Sequence, residues 1–419
     1  MAELLFAGAQ RNVTPPAGFP LGGYVARGLN GATHSHDALE VSALWLGTAD
    51  EPGVLWLCLD SLAVDAELTQ RLKERATARL GIPAEHVVVC ASHTHAAPLG
   101  WTCRLHPGIP GGRDDDLVAA LVGTADEALR ALPAARHPVT LSWCEAPASG
   151  VGTNRHSPDG PHDNTTGVLA IKGNEGTIDG LLFDFASHPT VLGPENLAWS
   201  ADWPGAARTA LSSALSATVG FLQGAAGDAS PRFTRRGRGH GEVSRIGALL
   251  ADTILTALVD RSRPLPSIAP RVFRSTVSLP VREVPDAVPL CAEQTFPDTP
   301  AGRISQTNAE GARALAQLVD VDLPTTMELP VSVVTLGDVA WVHLPVELFG
   351  SLGLRIRAAS PFPVTRVAGY SDGYFGYVAD ADGHERQVYE AMISLFDAPA
   401  ADLLLAHIAG LLKRARTGP

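Results

Sequence analysis

Short apolar runs separated by polar turns recur along the chain, and their lengths sort them into strands and helices. Residues 41–46, apolar but for Ser42, and the unbroken apolar Val54–Leu59 are stretches of strand length. Ala66–Leu80 instead repeats its apolar residues at a helical period, with Gly81 as a stop signal. A further apolar strand covers residues 86–91. Residues 114–132 predict a helix that opens on Asp114, Asp115 and Asp116, which suit the positive end of its dipole. Strands are expected at 139–143, 167–171 and 180–185, and helices at 206–215 and 242–258. Arg271–Pro280 and residues 329–342 read as long strands in hairpins, with Gly337-Asp338 as a turn, and 400–414 as a closing helix. The stretch 281–328 is poorly patterned and is expected to supply a helix and loop that line an entrance. Strands and helices alternate early, and strands adjoin one another later. The expected fold is therefore α/β with mixed α+β character: mixed parallel and antiparallel sheets covered by helices, in a single large domain spanning 1–419.

Four of the apolar runs end in residues that carry chemistry. The run at 87–91 leads into Ser92-His93-Thr94-His95, and in an extended strand His93 and His95 would share one face. Leu181-Leu182-Phe183-Asp184-Phe185 leads to His188, and Val219-Gly220-Phe221-Leu222 leads to Asp228 and Ser230. Ala340-Trp341-Val342-His343-Leu344 leads to Glu347. Strand ends are where ligands and catalytic groups gather in such sheets. Imidazole and carboxylate donors delivered together suit zinc, which takes nitrogen and oxygen ligands in a tetrahedral shell. No Cys-x-x-Cys motif offers a thiolate alternative.

The order of these segments resembles the neutral ceramidases, zinc-dependent amidases that split N-acyl sphingoids. The stretches that carry the resemblance are Ala7-Gly8-Ala9-Gln10-Arg11-Asn12-Val13-Thr14-Pro15-Pro16, Leu21-Gly22-Gly23-Tyr24, Ser92-His93-Thr94-His95 and Asn154-Arg155-His156-Ser157-Pro158. After them come Phe185-Ala186-Ser187-His188, Gly227-Asp228-Ala229-Ser230-Pro231, Pro345-Val346-Glu347 and the tyrosine-rich 369–377 with Tyr389-Glu390. The resemblance implies that His93, His188, Glu347 and Tyr377 bind Zn2+, that His95, Arg155 and Tyr389 surround the substrate carbonyl, and that Ser230 is the catalytic serine. On this reading Ser230 either attacks the carbonyl or holds the attacking water and relays a proton. A Ser-His-Asp triad is the weaker idea, because Gly-x-Ser-x-Gly is absent around Ser230.

The chain also departs from the family pattern. Ala96-Ala97-Pro98 stands where Ser-Gly-Pro is usual, Arg232 where Asn is usual, and Asp380-Ala381-Asp382-Gly383-His384-Glu385 where the family is Thr-rich. Known ceramidases are longer and carry an additional C-terminal β-sandwich, which this chain is expected to lack. These differences favour amide hydrolysis of a compact N-acyl compound. True ceramidase activity in lipid metabolism, a zinc esterase or lactam hydrolase, and a non-catalytic lipid or small-molecule binder are the alternatives.

Among other polar residues, Asp60, Asp202 and Asp228 are candidates to orient the ligands from behind. Asp202 could equally cap the following helix. His36 and Asp37 are expected to brace a strand entrance. A formal charge of −12 argues against nucleic acid or anionic membrane as partners, so a small N-acyl substrate is expected, with no stable membrane insertion. The five cysteines, Cys58, Cys90, Cys103, Cys144 and Cys291, have no close pair, and the N-terminus lacks a signal-peptide pattern. A reduced, cytoplasmic protein is expected. Oligomeric state has no signature here.

Overall fold

The computed structural model describes residues 3–107, 111–285, 288, 290, 295–297, 299–319 and 321–418. Cys291 and part of the 281–328 stretch lie outside the described residues. Three sheets carry the fold. In the first, Val87–Ala91, Val54–Leu59, Glu40–Gly47, Leu5–Asn12 and His137–Pro138 lie side by side. The second orders Thr218–Gln223, Ile178–Phe185, Thr165–Lys172, Thr140–Pro147 and Arg263–Leu265. The third orders Arg271–Pro280, Thr326–Leu336, Val339–His343 and Val364–Ala368.

Each sheet is mostly antiparallel but contains one parallel pair bridged by a helix. Val54–Leu59 and Val87–Ala91 are linked by the helix Ala66–Leu80. Ile178–Phe185 and Thr218–Gln223 are linked by Asp202–Leu215, and Val339–His343 and Val364–Ala368 by Gly350–Ala359. Parallel neighbours need such a crossover, and the crossover helix covers one face of the sheet. The mixed sheets expected from sequence thus arise from three β-α-β units set among hairpins.

Side-chain alternation decides how the layers stack. In the first sheet Ala7, Ala9, Val41, Ala43, Leu55 and Leu57 face the helices Ala66–Leu80 and Asp115–Ala131, while Phe6, Leu44, Leu46, Val54 and Trp56 face the other sheets. Trp143, Leu169, Leu182 and Leu222 of the second sheet meet them, joined by Val334, Leu336 and Trp341 of the third. The opposite face of the third sheet, with Val333, Ala340, Val342 and Val367, packs on Gly350–Ala359 and the closing helix Ala398–Thr417. A period of two in each strand therefore feeds two cores at once. Gly81 closes the first helix in the left-handed conformation, as the sequence predicts, and Asp65 caps its start by accepting from Leu68 N at 2.7 Å.

Within the poorly patterned stretch, Pro300–Ala316 is a helix with Thr299 as its N-cap. Among the described residues, no helix is long and apolar enough to cross a membrane. Cys58, Cys90, Cys103 and Cys144 are free thiols.

Candidate active site

The three parallel pairs have a shared consequence. Their C-terminal ends converge, and the segments leaving those ends carry His93 and His95, His188, Asp228 and Ser230, Glu347, and the run from Tyr370 to Tyr377. Gln223, the last residue of its strand, ties these ends together. Its side-chain amide donates to Ser92 O at 3.2 Å and Ser187 O at 2.9 Å, and its oxygen accepts from Ser187 N and Gly224 N. The third sheet joins through the 370–372 turn, where Ala91 N donates to Tyr370 O at 3.0 Å and Asp372 N to Val89 O at 2.8 Å. Asp372 is itself held by Lys73 at 2.9 Å and Arg274 at 2.6 Å.

His93 and His95 do reach one centre, but not by the strand alternation expected from sequence. The strand ends at Ala91, and His93 has φ 67°, in the left-handed region that non-glycine residues seldom occupy. That turn, not the pleat, aims both imidazoles inward. Gly23 makes room for His95: a Cβ there would sit 2.4 Å from His95 Cγ, and its own φ is +94°.

At the centre, His93 Nε2 lies 3.2 Å and His188 Nε2 3.1 Å from the same Glu347 oxygen, Oε2. His95 Nε2 is 3.4 Å from His93 Nε2, and the Tyr377 hydroxyl is 3.4 Å from His188 Nε2. The far nitrogens are committed elsewhere. His93 Nδ1 faces Leu62 O at 2.6 Å, and His188 Nδ1 faces Ala226 O at 2.7 Å, so each Nδ1 is the donor and each Nε2 presents its lone pair inward. Burial, then the Arg155 charge, pushes the His188 pKa down to about 4, which keeps the ring neutral. Burial, reinforced by its two histidine neighbours, likewise lowers the His95 pKa.

Imidazole lone pairs thus meet carboxylate lone pairs about 3 Å apart, an arrangement that repels unless a cation sits among them. A tetrahedral zinc with bonds near 2.0–2.1 Å would place its donors about 3.3 Å from one another. The observed separations of 3.1 to 3.4 Å match that spacing, so the donor set fits a zinc ion. His93, His95 and His188 also group as a possible metal-binding trio by themselves. The fourth donor is therefore open between His95 and Tyr377.

Around this centre, Tyr370 donates to Glu347 Oε2 at 3.2 Å, and Tyr374 makes a short hydrogen bond to Oε1. Arg155 Nη2 donates to the Tyr377 hydroxyl at 3.2 Å and forms a short ion pair with Glu390. Glu390 also takes His156 Nε2 at 2.9 Å. Ser230 is buried, lines the same pocket, and its Oγ caps the turn Pro231–Phe233 by accepting from Arg232 N at 3.3 Å. Tyr389 begins a short helix at the pocket wall, with its ring edge-on to Tyr377 at 6.2 Å.

Of the eight residues expected to bind metal or act in catalysis, His93, His95, Arg155, Ser230, Glu347, Tyr377 and Tyr389 line this one pocket, and His188 is buried beside it against Glu347. The three supporting aspartates do something other than expected, since none of them contacts a ligand histidine. Asp60 pairs with Arg208 at 2.7 Å and accepts from Glu40 N, which draws its carboxylate back into the sheet. Asp202 accepts from Leu192 N and Trp203 N, and burial raises its pKa to about 7. Asp228 accepts from Asn154 Nδ2 at 2.6 Å and Gly350 N at 2.7 Å, so it anchors the Asn154-Arg155 turn, and burial raises its pKa to about 6. Asp37 does brace its surroundings, accepting from Ser200 Oγ and Ala201 N. His343, which adjoins the Glu347 segment in sequence, is a core residue facing Trp56 Nε1 at 3.4 Å.

Sequence reasoning assigns no role to Glu390, Tyr370, Tyr374 or Arg303, and marks Arg235 only as the start of an Arg/Gly-rich loop near the site. One signal was there to find: the chain has only five tyrosines, and Tyr24, Tyr374, Tyr377 and Tyr389 line the pocket while Tyr370 bonds Glu347. The pocket spans about 1570 Å³ including its open mouth. Part of its rim comes from the Pro300–Ala316 helix, which presents Arg303, Thr307 and Glu310 on one face, so a helix from the poorly patterned stretch does line the pocket, as expected.

No family model and no curated protein matches the sequence. Solved structures do match the fold. The whole chain superposes on the crystal structure of neutral ceramidase from Pseudomonas aeruginosa with a TM-score of 0.81 at 18% sequence identity, spanning 75% of that chain. It superposes equally completely on a ceramidase complexed with C2, with a TM-score of 0.80 at 16% identity, spanning 76% of that chain. Over its full length the chain has the fold of the neutral ceramidases.

Proposed function

We propose that the protein is a zinc-dependent amidohydrolase that cleaves an N-acyl amide bond, with residues 1–419 acting as one catalytic unit. The observation that carries this reading is the convergence of His93 Nε2 and His188 Nε2 on Glu347 Oε2 at donor spacings suited to zinc. The ligands on this reading are His93, His188, Glu347 and Tyr377, with His95 the competitor for the fourth place. Bound there, zinc would supply Lewis acidity, polarising an amide carbonyl and acidifying water to a pKa of about 7.

The chain's own groups have distinct tasks. Arg155, fixed by Glu390, is a donor toward the oxygen of a bound carbonyl, alongside Tyr389 and His95. One such donor is typically worth about 2.7–4 kcal/mol in the transition state. His95 is kept neutral by burial and so can accept or pass on a proton at its free nitrogen. Ser230 stands in the same pocket either to attack the carbonyl carbon or to orient water and relay a proton. Tyr370 and Tyr374 hold Glu347 in one rotamer.

The test is metal content together with a panel of acyl amides and esters. About one zinc per chain and cleavage of amides support the reading. Purified protein without zinc, and without activity gained on adding it, overturns it.

A further inference from the structure

The charge of the pocket runs against the charge of the chain. The protein carries a formal −12, yet the charged residues lining the pocket include four arginines. Arg155 is balanced by Glu390, and Glu347 is committed to the histidines. That leaves Arg232, Arg235 and Arg303 facing a single remaining carboxylate, Glu310, which accepts from Gln306 at 3.0 Å. None of the three forms an ion pair with a described residue. Each is instead positioned by a neutral oxygen: Arg232 Nη1 donates to Arg155 O at 2.9 Å, Arg235 Nη1 to Thr190 O at 2.6 Å, and Arg303 Nη1 to Gln306 Oε1 at 2.9 Å.

A guanidinium has five N–H donors in a rigid fork, so each of these keeps most of its donors free for a guest. Grouping three such cations in a partly enclosed space is unfavourable when nothing negative joins them. Burial and the neighbouring arginines, Arg155 first, lower the Arg232 pKa to about 9, which reports that crowding. The same pocket has apolar walls from Leu62, Leu99, Leu105, Phe375 and Leu395. The pocket that holds the proposed hydrolytic centre therefore offers both apolar walls and a cationic part.

We propose that the substrate is an N-acyl compound bearing a carboxylate close to its amide, bound by the Arg232, Arg235 and Arg303 guanidiniums while its hydrocarbon part lies on the apolar walls. The inference rests on the amidohydrolase reading for the chemical step. In that step the amide C–N bond breaks and one water is consumed, its hydroxyl going to the acyl carbon and its proton to the departing amine. An N-acyl amino acid would yield a fatty acid and an amino acid. A carboxylate on the acyl side would yield a dicarboxylic acid and an amine.

Binding is measured by calorimetry on metal-free protein, which separates recognition from turnover. The ligands are N-octanoylglycine, N-octylsuccinamic acid and the neutral N-octanoylglycinamide. At least one of the two acids should bind tenfold or more tightly than the neutral amide, and which one does so reports the side on which the carboxylate lies. Arg303→Gln and Arg232→Gln should each cut that preference at least fivefold, and Arg303→Lys should restore part of it, an effect a merely misfolded variant would not show. Equal binding of acids and neutral amide, or a preference untouched by both Gln variants, overturns the inference. The same three compounds are then offered to the zinc-loaded enzyme. Cleavage of the neutral amide as fast as the acids leaves the hydrolase reading standing and sinks this one. Tight binding of an acid with no cleavage of any amide does the reverse.

Discussion

Glu390 clamps Arg155: one oxygen of the buried carboxylate meets the guanidinium, and the other takes His156 Nε2 at 2.9 Å. The clamp matters because the same guanidinium donates to the Tyr377 hydroxyl at 3.2 Å, so the position of a carbonyl-binding donor is set by a residue that need not itself touch substrate.

Replacing Glu390 by Gln should therefore lower turnover by roughly ten- to a hundredfold while zinc content stays near one per chain. It should also destabilise the fold by about 3–5 kcal/mol, because Arg155 is left buried without its counter-charge. Activity, metal analysis and urea unfolding on one preparation check all three outcomes. Normal turnover with lowered stability would make Glu390 structural only.

The same residue predicts a pH dependence. Burial alone would raise the Glu390 pKa, but Arg155 and the His156 hydrogen bond outweigh it and lower the value to about 2. A carboxyl with a depressed folded-state pKa stabilises the protein fully above its ordinary value near 4.5, and that contribution fades as pH falls toward 2. Unfolding free energy of the metal-free protein should accordingly drop more steeply between about pH 5 and pH 2 in wild type than in the Gln variant. Parallel slopes would contradict the assignment.

Metal binding separates the two candidates for the fourth ligand. His188→Ala should abolish zinc binding and activity while circular dichroism is unchanged. If Tyr377 is a ligand, Tyr377→Phe should weaken zinc about 10–100-fold and His95→Ala should keep zinc but lose turnover. The opposite pattern would assign His95 to the shell.

Ser230→Ala should reduce turnover about a hundredfold or more with zinc retained, since both proposed tasks lie in the chemical step. Near-normal rates would leave Ser230 as no more than the cap of the turn Pro231–Phe233. An acyl group trapped on Ser230 would select the attacking role.

Much of this molecule was legible in its apolar pattern. Ala66–Leu80, Val54–Leu59 and Arg271–Pro280 fall at the bounds expected of them, because a helical period or a strand-length apolar run marks each one locally. The site residues were legible because strand ends deliver them and short motifs mark them. What was not legible depends on contacts between distant segments. The left-handed turn at His93 is imposed by three converging sheets, and nothing in Ser92-His93-Thr94-His95 signals it. Asp60 looked like a carboxylate behind a ligand and instead serves Arg208, a partner far along the chain. Arg303 lies in a stretch with no clear apolar period, where Gly302 and Gly311 interrupt the helix pattern, so its place at the pocket could not be inferred.

The last prediction concerns ceramide itself. Long-chain ceramide is uncharged, so it would leave Arg232, Arg235 and Arg303 unpaired in a partly buried space and would forfeit the charge-assisted hydrogen bonds those groups can make. It also resides in lipid aggregates, and a chain with formal charge −12 is repelled by anionic lipid surfaces. Both effects act before the chemical step, so they should appear in kcat/KM. Detergent-dispersed long-chain ceramide should be cleaved at least tenfold less efficiently than N-octanoylglycine or N-octylsuccinamic acid, whichever is preferred. Raising salt should narrow that gap, because screening weakens the arginine contacts to the acids more than it alters binding of a neutral lipid. Efficient ceramide hydrolysis with negligible turnover of the short acids would reverse the prediction and make the guanidiniums a feature of the pocket wall unconnected with substrate choice.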